Sequence, residues 1–275
     1  MIKYCTAVLL LAGLLARPAA AQSNRSVQDL QLRAEAQGEL ALKNGDYLLL
    51  ALYGENVPAF NGATYDNARL LGFDQRGAAV QYEHFWNDRW SYGAGLQHTS
   101  SSGFKYLLPE VLLRHRSSVG PLTFGQRLSV SRTIPFGGMG RTVEREGTTF
   151  AGLRVDLEKL YSVGSGSFAL RPRLSYEAVA RVRLLSKDTD ARERTIEATR
   201  LRAEVGLRIN DRFDFTPWFA YGTAYFFTLE QYDATGKLIG GGPLNLVTPM
   251  LGLDARFTLF AGKAAFERRQ LPTQH

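Results

Sequence analysis

The most regular feature of this chain is an alternation of apolar and polar residues with a period of two, which is typical of β-strands whose two faces meet different surroundings. It is clearest in 168–184, where every even position is apolar and most odd positions are charged or polar. Segment 200–209 repeats the pattern, and 213–229 repeats it with aromatic residues. Because a helix does not produce this periodicity, the three segments are predicted to be strands.

The same criterion predicts ten strands along the chain. Most of them have 11 to 18 residues, whereas strands in soluble sheets usually have about five or six. A strand that crosses a bilayer at a tilt needs roughly 9 to 11 residues plus its overhang. Length therefore favours an all-β fold, a transmembrane antiparallel up-and-down β-barrel with strands at 47–54, 69–84, 90–100, 106–116, 122–133, 148–158, 167–184, 197–209, 213–229 and 246–259.

The connections between these strands alternate in length. Short ones lie at 85–89, 117–121, 159–166 and 210–212. Most of those between them are long and rich in Gly, Asp, Thr, Arg and Lys, namely 55–68, 134–147, 185–196 and 230–243. Tight periplasmic turns and long external loops alternate in this way in transmembrane barrels.

Segment 22–46 fits this scheme less simply. Residues 30–42 also alternate, and Asn44-Gly45 offers a hairpin turn. Counting this segment gives eleven strands, but single-chain bacterial barrels have even numbers. It is therefore an extra N-terminal strand beside a ten-stranded barrel, or 69–84 contains two strands and the total is twelve; a helix starting at Ser26 also remains open.

The N-terminus reads as an export signal. Lys3 is followed by the apolar stretch 6–15, and 17–22 provides a small-residue cleavage site after Ala21. The longest apolar run after this signal is 47–53, far too short for a membrane-spanning helix. Cys5 leaves with the signal, so the mature chain can form no disulfide or thiolate metal site. The predicted organisation is a signal peptide at 1–21, a segment or strand at 22–46, a barrel at 47–260 and a polar tail at 261–275.

Charge gives little support to nucleic-acid binding. The chain carries a formal net charge of +7, and its basic residues are scattered along it. Nucleic-acid-binding proteins usually concentrate Lys and Arg on one face or in one tail. No nucleic-acid partner is therefore expected.

Several segments together resemble small outer-membrane β-barrel proteins of Gram-negative bacteria, in particular those of the Bacteroidota type of cell envelope. These segments are the signal, the turn and strand start 87–96, the turn 210–213, and the final strand 253–260 with Phe257 and Phe260. The resemblance implies a cell outer membrane location, contact with membrane lipid and lipopolysaccharide, and insertion by the barrel-assembly machinery. The tail 261–275 departs from the family pattern, and the partner of the surface loops stays unknown.

If the apolar faces meet lipid, the opposite faces line a charged lumen. Barrels of about eight strands are filled by their own side chains, and an aqueous channel needs roughly sixteen. A salt-bridged plug is therefore the first interpretation, and a narrow anion-preferring path is the alternative. The predicted lumen residues are Arg154, Asp156, Glu158, Arg171, Arg173, Glu177, Arg181, Arg183, Arg200, Arg202, Glu204, Arg208, Asp254 and Arg256.

Aromatic residues cluster beside the short turns. Girdles of such residues lie at the headgroup level in membrane barrels, although hydrophobic packing in a soluble core would also use them. The cluster consists of Tyr82, Phe85, Trp86, Trp90, Tyr92, Phe213, Phe215 and Trp218.

One group of residues could carry catalysis. His98 and Ser100 lie two apart on the same face of a strand, and Glu110 follows on the next strand. This resembles the His-x-Ser arrangement of outer-membrane lipid A deacylases, with a Ser nucleophile, a His base and an orienting Glu. By parity Glu110 faces the lumen instead, so a histidine at a loop edge is the preferred interpretation. No cofactor or metal is predicted, and a soluble exported barrel or sandwich that binds a ligand is a further alternative.

Overall fold

The computed structural model describes residues 24–56, 73–101, 104–136, 147–164, 167–182 and 194–260. Within these ranges the chain forms fourteen strands, and no helix that could span a membrane occurs among them. The strands are β1 (Asn24–Val27), β2 (Gln31–Ala41), β3 (Tyr47–Glu55), β4 (Gln75–Phe85), β5 (Trp90–Ser101), β6 (Phe104–Val119), β7 (Leu122–Arg132), β8 (Ile134–Pro135), β9 (Thr149–Glu158), β10 (Tyr161–Ser162), β11 (Ala169–Val182), β12 (Ile196–Asn210), β13 (Phe213–Tyr232) and β14 (Leu238–Phe260).

The strands form one closed sheet. From β2 to β14 each long strand pairs antiparallel with the next long strand, and β14 pairs back with β2. Three short strands lie outside this ring: β1 extends the seam along β14, β8 pairs with β6, and β10 pairs with β11. The predicted all-β fold, an up-and-down transmembrane barrel, is confirmed.

The barrel has eleven strands, so the expected count of ten, or twelve, is wrong. The additional strand is β2, which runs parallel to β14 from Gln31 opposite Met250 to Ala41 opposite Phe260. Because β2 inserts between the two ends of a ten-stranded meander, it adds one strand and makes the seam parallel. The alternative helix from Ser26 is also wrong, since Asn24–Val27 is a strand. The described part of 69–84 belongs to one strand, and 69–72 lies outside the described residues.

Four short turns lie at one end of the barrel. They join β2 to β3, β4 to β5, β6 to β7 and β12 to β13. The β9–β11 connection is at the same end and contains β10. Since β1 pairs with the other end of β14, at Leu244–Val247, the N-terminal strand lies at the end of the barrel opposite these turns. The chain ends described at Asn24 and Phe260 therefore lie at opposite ends of the barrel.

One predicted loop is largely strand. Segment 230–243 was expected to be a long polar connection, but β13 and β14 continue through it and leave only 233–237 as the turn. Pairing persists through irregularities, with Thr228 opposite Gly242 and Tyr232 opposite Leu238. The Asp233 carboxylate accepts hydrogen bonds from the backbone N–H groups of Thr235 and Lys237. Polar composition predicted a loop here, while cross-strand pairing makes a hairpin.

The wall of the barrel exposes apolar side chains and buries polar ones. On β3, Leu48, Leu50 and Leu52 are 39%, 54% and 56% exposed, whereas Glu55 is 7% exposed. On β2, Glu35 is buried between exposed alanines. A water-soluble sheet would reverse this arrangement, because exposing large apolar patches to water is unfavourable. The outer face is suited to the hydrocarbon of a bilayer. On the inner face, polar side chains pair with one another.

Aromatic side chains ring the short-turn end, with two exceptions: Phe85, which packs against buried Tyr47 on the inner side, and Trp218. Tyr82, Trp86, Trp90 and Tyr92 are all exposed on the outer face there. Trp218 is 4% exposed and lies on the lumen side, between Thr216 and Ala220 on the buried face of β13. The interpretation of Phe85 and Trp218 as girdle residues is therefore wrong.

The turn between β2 and β3 is held by a buried carboxylate. Asp46 is 1% exposed and accepts hydrogen bonds from the Tyr82 hydroxyl, from Asn44 Nδ2 at 2.6 Å and from the backbone N–H of Phe85 at 3.3 Å. His84 Nδ1 lies 3.0 Å from the same carboxylate. Burial alone would raise the pKa of Asp46, but the hydrogen bonds from Tyr82, His84 and Phe85 outweigh it and hold that pKa below its ordinary value.

Candidate functional site: the charge-filled lumen

The interior of the barrel is lined mainly by arginines and carboxylates, with a smaller number of buried apolar side chains such as Leu49, Leu112 and Met250. Charges removed from water are tolerated only where they are paired or hydrogen-bonded. Among the described residues the buried arginines are Arg33, Arg114, Arg127, Arg154, Arg171, Arg173, Arg202 and Arg256, and the buried carboxylates within strands are Glu35, Glu39, Glu55, Glu83, Asp156, Glu204 and Asp254.

A central cluster joins strands β11 to β14. The Arg202 guanidinium donates to Glu204 and to Asp254, each at 2.8 Å, and lies 4.1 Å from the centre of the Trp218 ring. Trp218 Nε1 donates to the second oxygen of Asp254 at 2.8 Å. Arg173 forms an ion pair with Glu204. Each side chain is held by at least one other, so the cluster links four neighbouring strands on the inner face of the wall.

A second cluster lies at the seam between β2, β3 and β14. Arg33 bridges Glu35 at 3.0 Å and Glu55 at 2.9 Å, and its guanidinium lies 4.0 Å from the Tyr53 ring centre. Nearer the short-turn end, Arg256 donates to Gln37 at 2.7 Å and to Glu39 at 3.2 Å. Charged groups of β2 thus pair across the parallel seam, which gives this strand polar as well as backbone contacts with β14.

A third group lies on β4 to β7. Arg114 donates to Glu83 at 2.5 Å, and Glu83 also accepts from the Ser91 hydroxyl at 2.6 Å. Arg127 donates to Glu110 at 2.5 Å. With these pairs the network reaches every long strand, including β9, whose Arg154 donates to Ser175 on β11 at 3.4 Å.

Arg171 is incompletely hydrogen-bonded within the network. It is 5% exposed, and its Nε and Nη1 atoms have no hydrogen-bond partner among the described residues. Glu158 Oε2 lies 3.8 Å from Nη1, within Coulombic range but beyond hydrogen-bond distance. The lumen near Arg171 therefore contains hydrogen-bond donors that no described acceptor uses.

The structure places most of the predicted lumen residues on the inner face. Arg154, Asp156, Arg171, Arg173, Arg202, Glu204, Asp254 and Arg256 are buried there. Glu158, Glu177, Arg200 and Arg208 are half-buried, with Arg208 3.4 Å from Asp214. Arg181 is exposed near the far end of β11, and Arg183 lies outside the described residues.

Sequence reasoning missed the partners supplied by the first half of the chain. These residues are Arg33, Glu35, Glu39, Glu55, Glu83, Arg114 and Arg127. The signal was present in 31–39, where charged or amide side chains occupy the odd positions. Treating β2 as part of the wall would have added its carboxylates to the predicted lumen. The C-terminal strands alone supply more arginines than carboxylates to it.

The three residues considered for catalysis do not come together. His98 and Ser100 lie on the outward face of β5, and His98 contacts the Phe136 ring, with centres 5.6 Å apart. Glu110 lies on the inner face of β6, where it pairs with Arg127. The wall of the barrel separates the carboxylate from the other two, so the described geometry contains no Ser-His-Glu hydrogen-bond chain. The described residues also contain no group of His, Cys, Asp or Glu that could hold a metal ion.

A closed barrel with a lipid-suited outer face and a charged interior defines the class of this protein as a transmembrane β-barrel. No protein-family model matches the chain, and no curated protein matches it. Among solved structures the chain is similar to the NanC porin in a rhombohedral crystal form, with a TM-score of 0.39 and 15% identity over 84% of this chain and 100% of that one. The assignment to this class rests on the strand order and on the distribution of burial.

Proposed function

We propose that this protein is an outer-membrane β-barrel whose lumen is closed by its own ion pairs. We further propose that it serves as a scaffold that presents the connections opposite the short-turn end to the cell surface. In this proposal the short turns face the periplasm, lipopolysaccharide surrounds the outer half of the wall, and the barrel-assembly machinery inserts the chain after its signal is removed. The partner of the surface connections is then the unknown part of the function.

The central cluster is the observation that carries this proposal. Arg202, Glu204, Asp254 and Trp218 are all less than 5% exposed, although they point into the space where a pore would run. Eleven strands lie between the roughly eight of a filled barrel and the roughly sixteen of an aqueous channel. At this size, long side chains joined by ion pairs can occupy the cross-section.

Current through planar bilayers tests the closure. The wild-type barrel is expected to show no steady open channel, because ions would have to displace the Arg202 bridges. The double variant Arg202→Ala/Asp254→Ala removes both bulk and charge and is expected to conduct. Leu201→Ala, on the outer face of the same strand, is the matched control and should remain closed. A steady ohmic current in the wild type would contradict a closed lumen.

Membrane fractionation tests the location. A folded barrel resists cold detergent and changes its gel mobility on boiling, so an outer-membrane band with a heat-dependent shift is expected. A soluble periplasmic band without a shift would favour an exported binding module. It would also require another explanation for the exposed leucines of β3.

A narrow anion path is the second candidate, favoured by Arg171. Its unpartnered nitrogens could bind a passing anion in a constriction lined by positive charge. This candidate predicts a small wild-type current that prefers chloride over potassium and falls in Arg171→Met. Such a current would replace the closed scaffold with a selective channel in the same membrane.

A further inference from the structure

An apolar groove of about 620 Å³ crosses the outer face of the wall from β7 to β14 at the short-turn half of the barrel. Its walls and floor include Leu157, Leu174, Ala203, Pro217, Phe219 and Leu251, all of which are exposed on the lipid-facing side. We propose that this groove binds the acyl chain of an anionic glycerophospholipid of the inner leaflet, with Lys159 next to the phosphate. The choice of leaflet rests on the outer-membrane orientation proposed above.

Two neighbouring rows of side chains create the groove. The row farther from the turns reads Leu157, Leu174, Ala203, Phe219, Leu251, with each residue directly opposite the next on the adjacent strand. Four large side chains in this row flank one methyl group, so the wall is depressed at Ala203. Strand pairing thus produces the groove at the centre of an otherwise leucine-rich outer surface.

The row nearer the turns continues the depression. Pro172 is opposite Val205, and Pro217 is opposite Leu253. The proline rings are short and lie close to the wall, so the floor stays low over several strands. A flexible hydrocarbon chain can fill such a groove, because burying methylene groups there needs no polar partner.

The polar end of the groove carries Lys159 and its neighbour Glu158, and the Glu158 carboxylate lies 3.8 Å from the buried Arg171 guanidinium. Lys159 follows β9 directly, its backbone N–H donates to Pro172 at 3.2 Å, and its Nζ lies 4.6 Å from the centre of the Tyr161 ring. Both side chains line the groove. A lysine and a tyrosine at the end of a membrane strand occupy the headgroup level, where an ammonium attracts phosphate. This placement favours a lipid with a net negative headgroup over a zwitterionic one.

Native mass spectrometry of the full chain in detergent tests the proposal with two probes that carry identical acyl chains, phosphatidylglycerol and phosphatidylethanolamine. The wild type is expected to retain phosphatidylglycerol about fivefold better, the factor that one lysine near a membrane surface supplies. Ala203→Phe should lose retention of both lipids because the ring fills the groove. Ala94→Phe, an outward position on β5, is the matched control and should behave as the wild type. Lys159→Gln should retain both lipids equally.

Two results would overturn the lipid site while leaving the proposed function intact, provided that each variant still shows a heat-dependent gel shift. The first is equal retention of phosphatidylglycerol by the wild type and by Ala203→Phe. The second concerns a photoreactive benzoylphenylalanine at position 219: a phospholipid adduct supports the proposal, whereas an adduct with segment 261–275 would make that segment the occupant. Loss of the gel shift in the wild type itself would instead contradict the outer-membrane barrel.

Discussion

The indole of Trp218 lies across Gly252, the residue directly opposite it on β14. A Cβ atom at position 252 would overlap the ring. The same indole donates to Asp254 and lies against the Arg202 guanidinium. The missing side chain on one strand therefore creates the space that the centre of the lumen network occupies.

Adding one methyl group at this position should disturb the network. Gly252→Ala is expected to lower the free energy of unfolding by about 1 to 3 kcal/mol, the usual cost of overpacking. Gly222→Ala is the matched control on β13, because a Cβ there would meet the Thr248 carbonyl at an ordinary 3.6 Å. Unfolding of both variants in guanidinium measures the difference. Equal stability of the two variants would mean that Trp218 does not depend on Gly252.

The Arg114–Glu83 pair should show strong energetic coupling. Arg114→Met leaves the Glu83 carboxylate buried without its arginine, which is expected to cost about 3 to 5 kcal/mol. The double variant Arg114→Met/Glu83→Leu removes both charges and should recover part of this loss. Arg208→Met, whose partner Asp214 is 3.4 Å away in a more exposed position, should lose less. If the stability lost in the double variant equals the sum of the losses in Arg114→Met and Glu83→Leu, the pair is not coupled.

The assignment of side chains to the lipid and lumen faces of this barrel follows almost completely from their odd or even positions. In a strand the face of each side chain is fixed by its odd or even position, so the lipid and lumen faces of β11 and β12 could be assigned without any contact information. Trp218 shows the limit of grouping by residue type. Its even position places it with Thr216 and Ala220 on the inner face, while its aromatic character suggested the girdle.

Pairing partners, by contrast, could not be read from the pattern. Arg256 and Gln37 are 219 residues apart in sequence and 2.7 Å apart in the structure. Alternation shows that 31–41 is a strand. It does not show which strand 31–41 pairs with, or whether the pairing is parallel or antiparallel. The parallel seam, the eleventh strand and the carboxylates that balance the C-terminal arginines all depend on that one pairing.

Stability should depend on pH through Asp46. Because its pKa is lower in the folded barrel than in the unfolded chain, its contribution is present above the ordinary aspartate value of about 4 and is lost as the pH falls through the lower folded value. Asp46→Asn is therefore expected to unfold more easily than the wild type at pH 7. The gap between the two proteins should narrow as the pH falls below about 4.

Denaturant midpoints measured across this pH range check the expectation. Asp211→Asn, at an exposed position in the β12–β13 turn, serves as the control for removing one carboxylate at this end of the barrel. A gap between the wild type and Asp46→Asn that stays constant down to the lowest pH would show that the Asp46 charge does not stabilise the turn.

The parallel seam can be tested by a designed disulfide. Ala36 on β2 and Ala255 on β14 are direct partners, and both occupy outward positions. Paired strands lie about 4.8 Å apart, a separation that suits the Cα atoms of a disulfide. In a Cys5→Ser background, Ala36→Cys/Ala255→Cys is therefore expected to oxidise readily in the folded barrel, with a loss of two hydrogens seen by mass spectrometry.

A staggered pair provides the control for this register. Ala34→Cys/Ala255→Cys shifts one partner by two residues along β2, which adds roughly 6.6 Å along the strand and separates the Cα atoms beyond disulfide reach. It should stay reduced under the same oxidant. If the staggered pair closes and the matched pair does not, β2 joins the barrel in another register. If neither closes while the gel shift persists, the barrel is sealed without β2, and its wall would then have the even strand number of single-chain bacterial barrels.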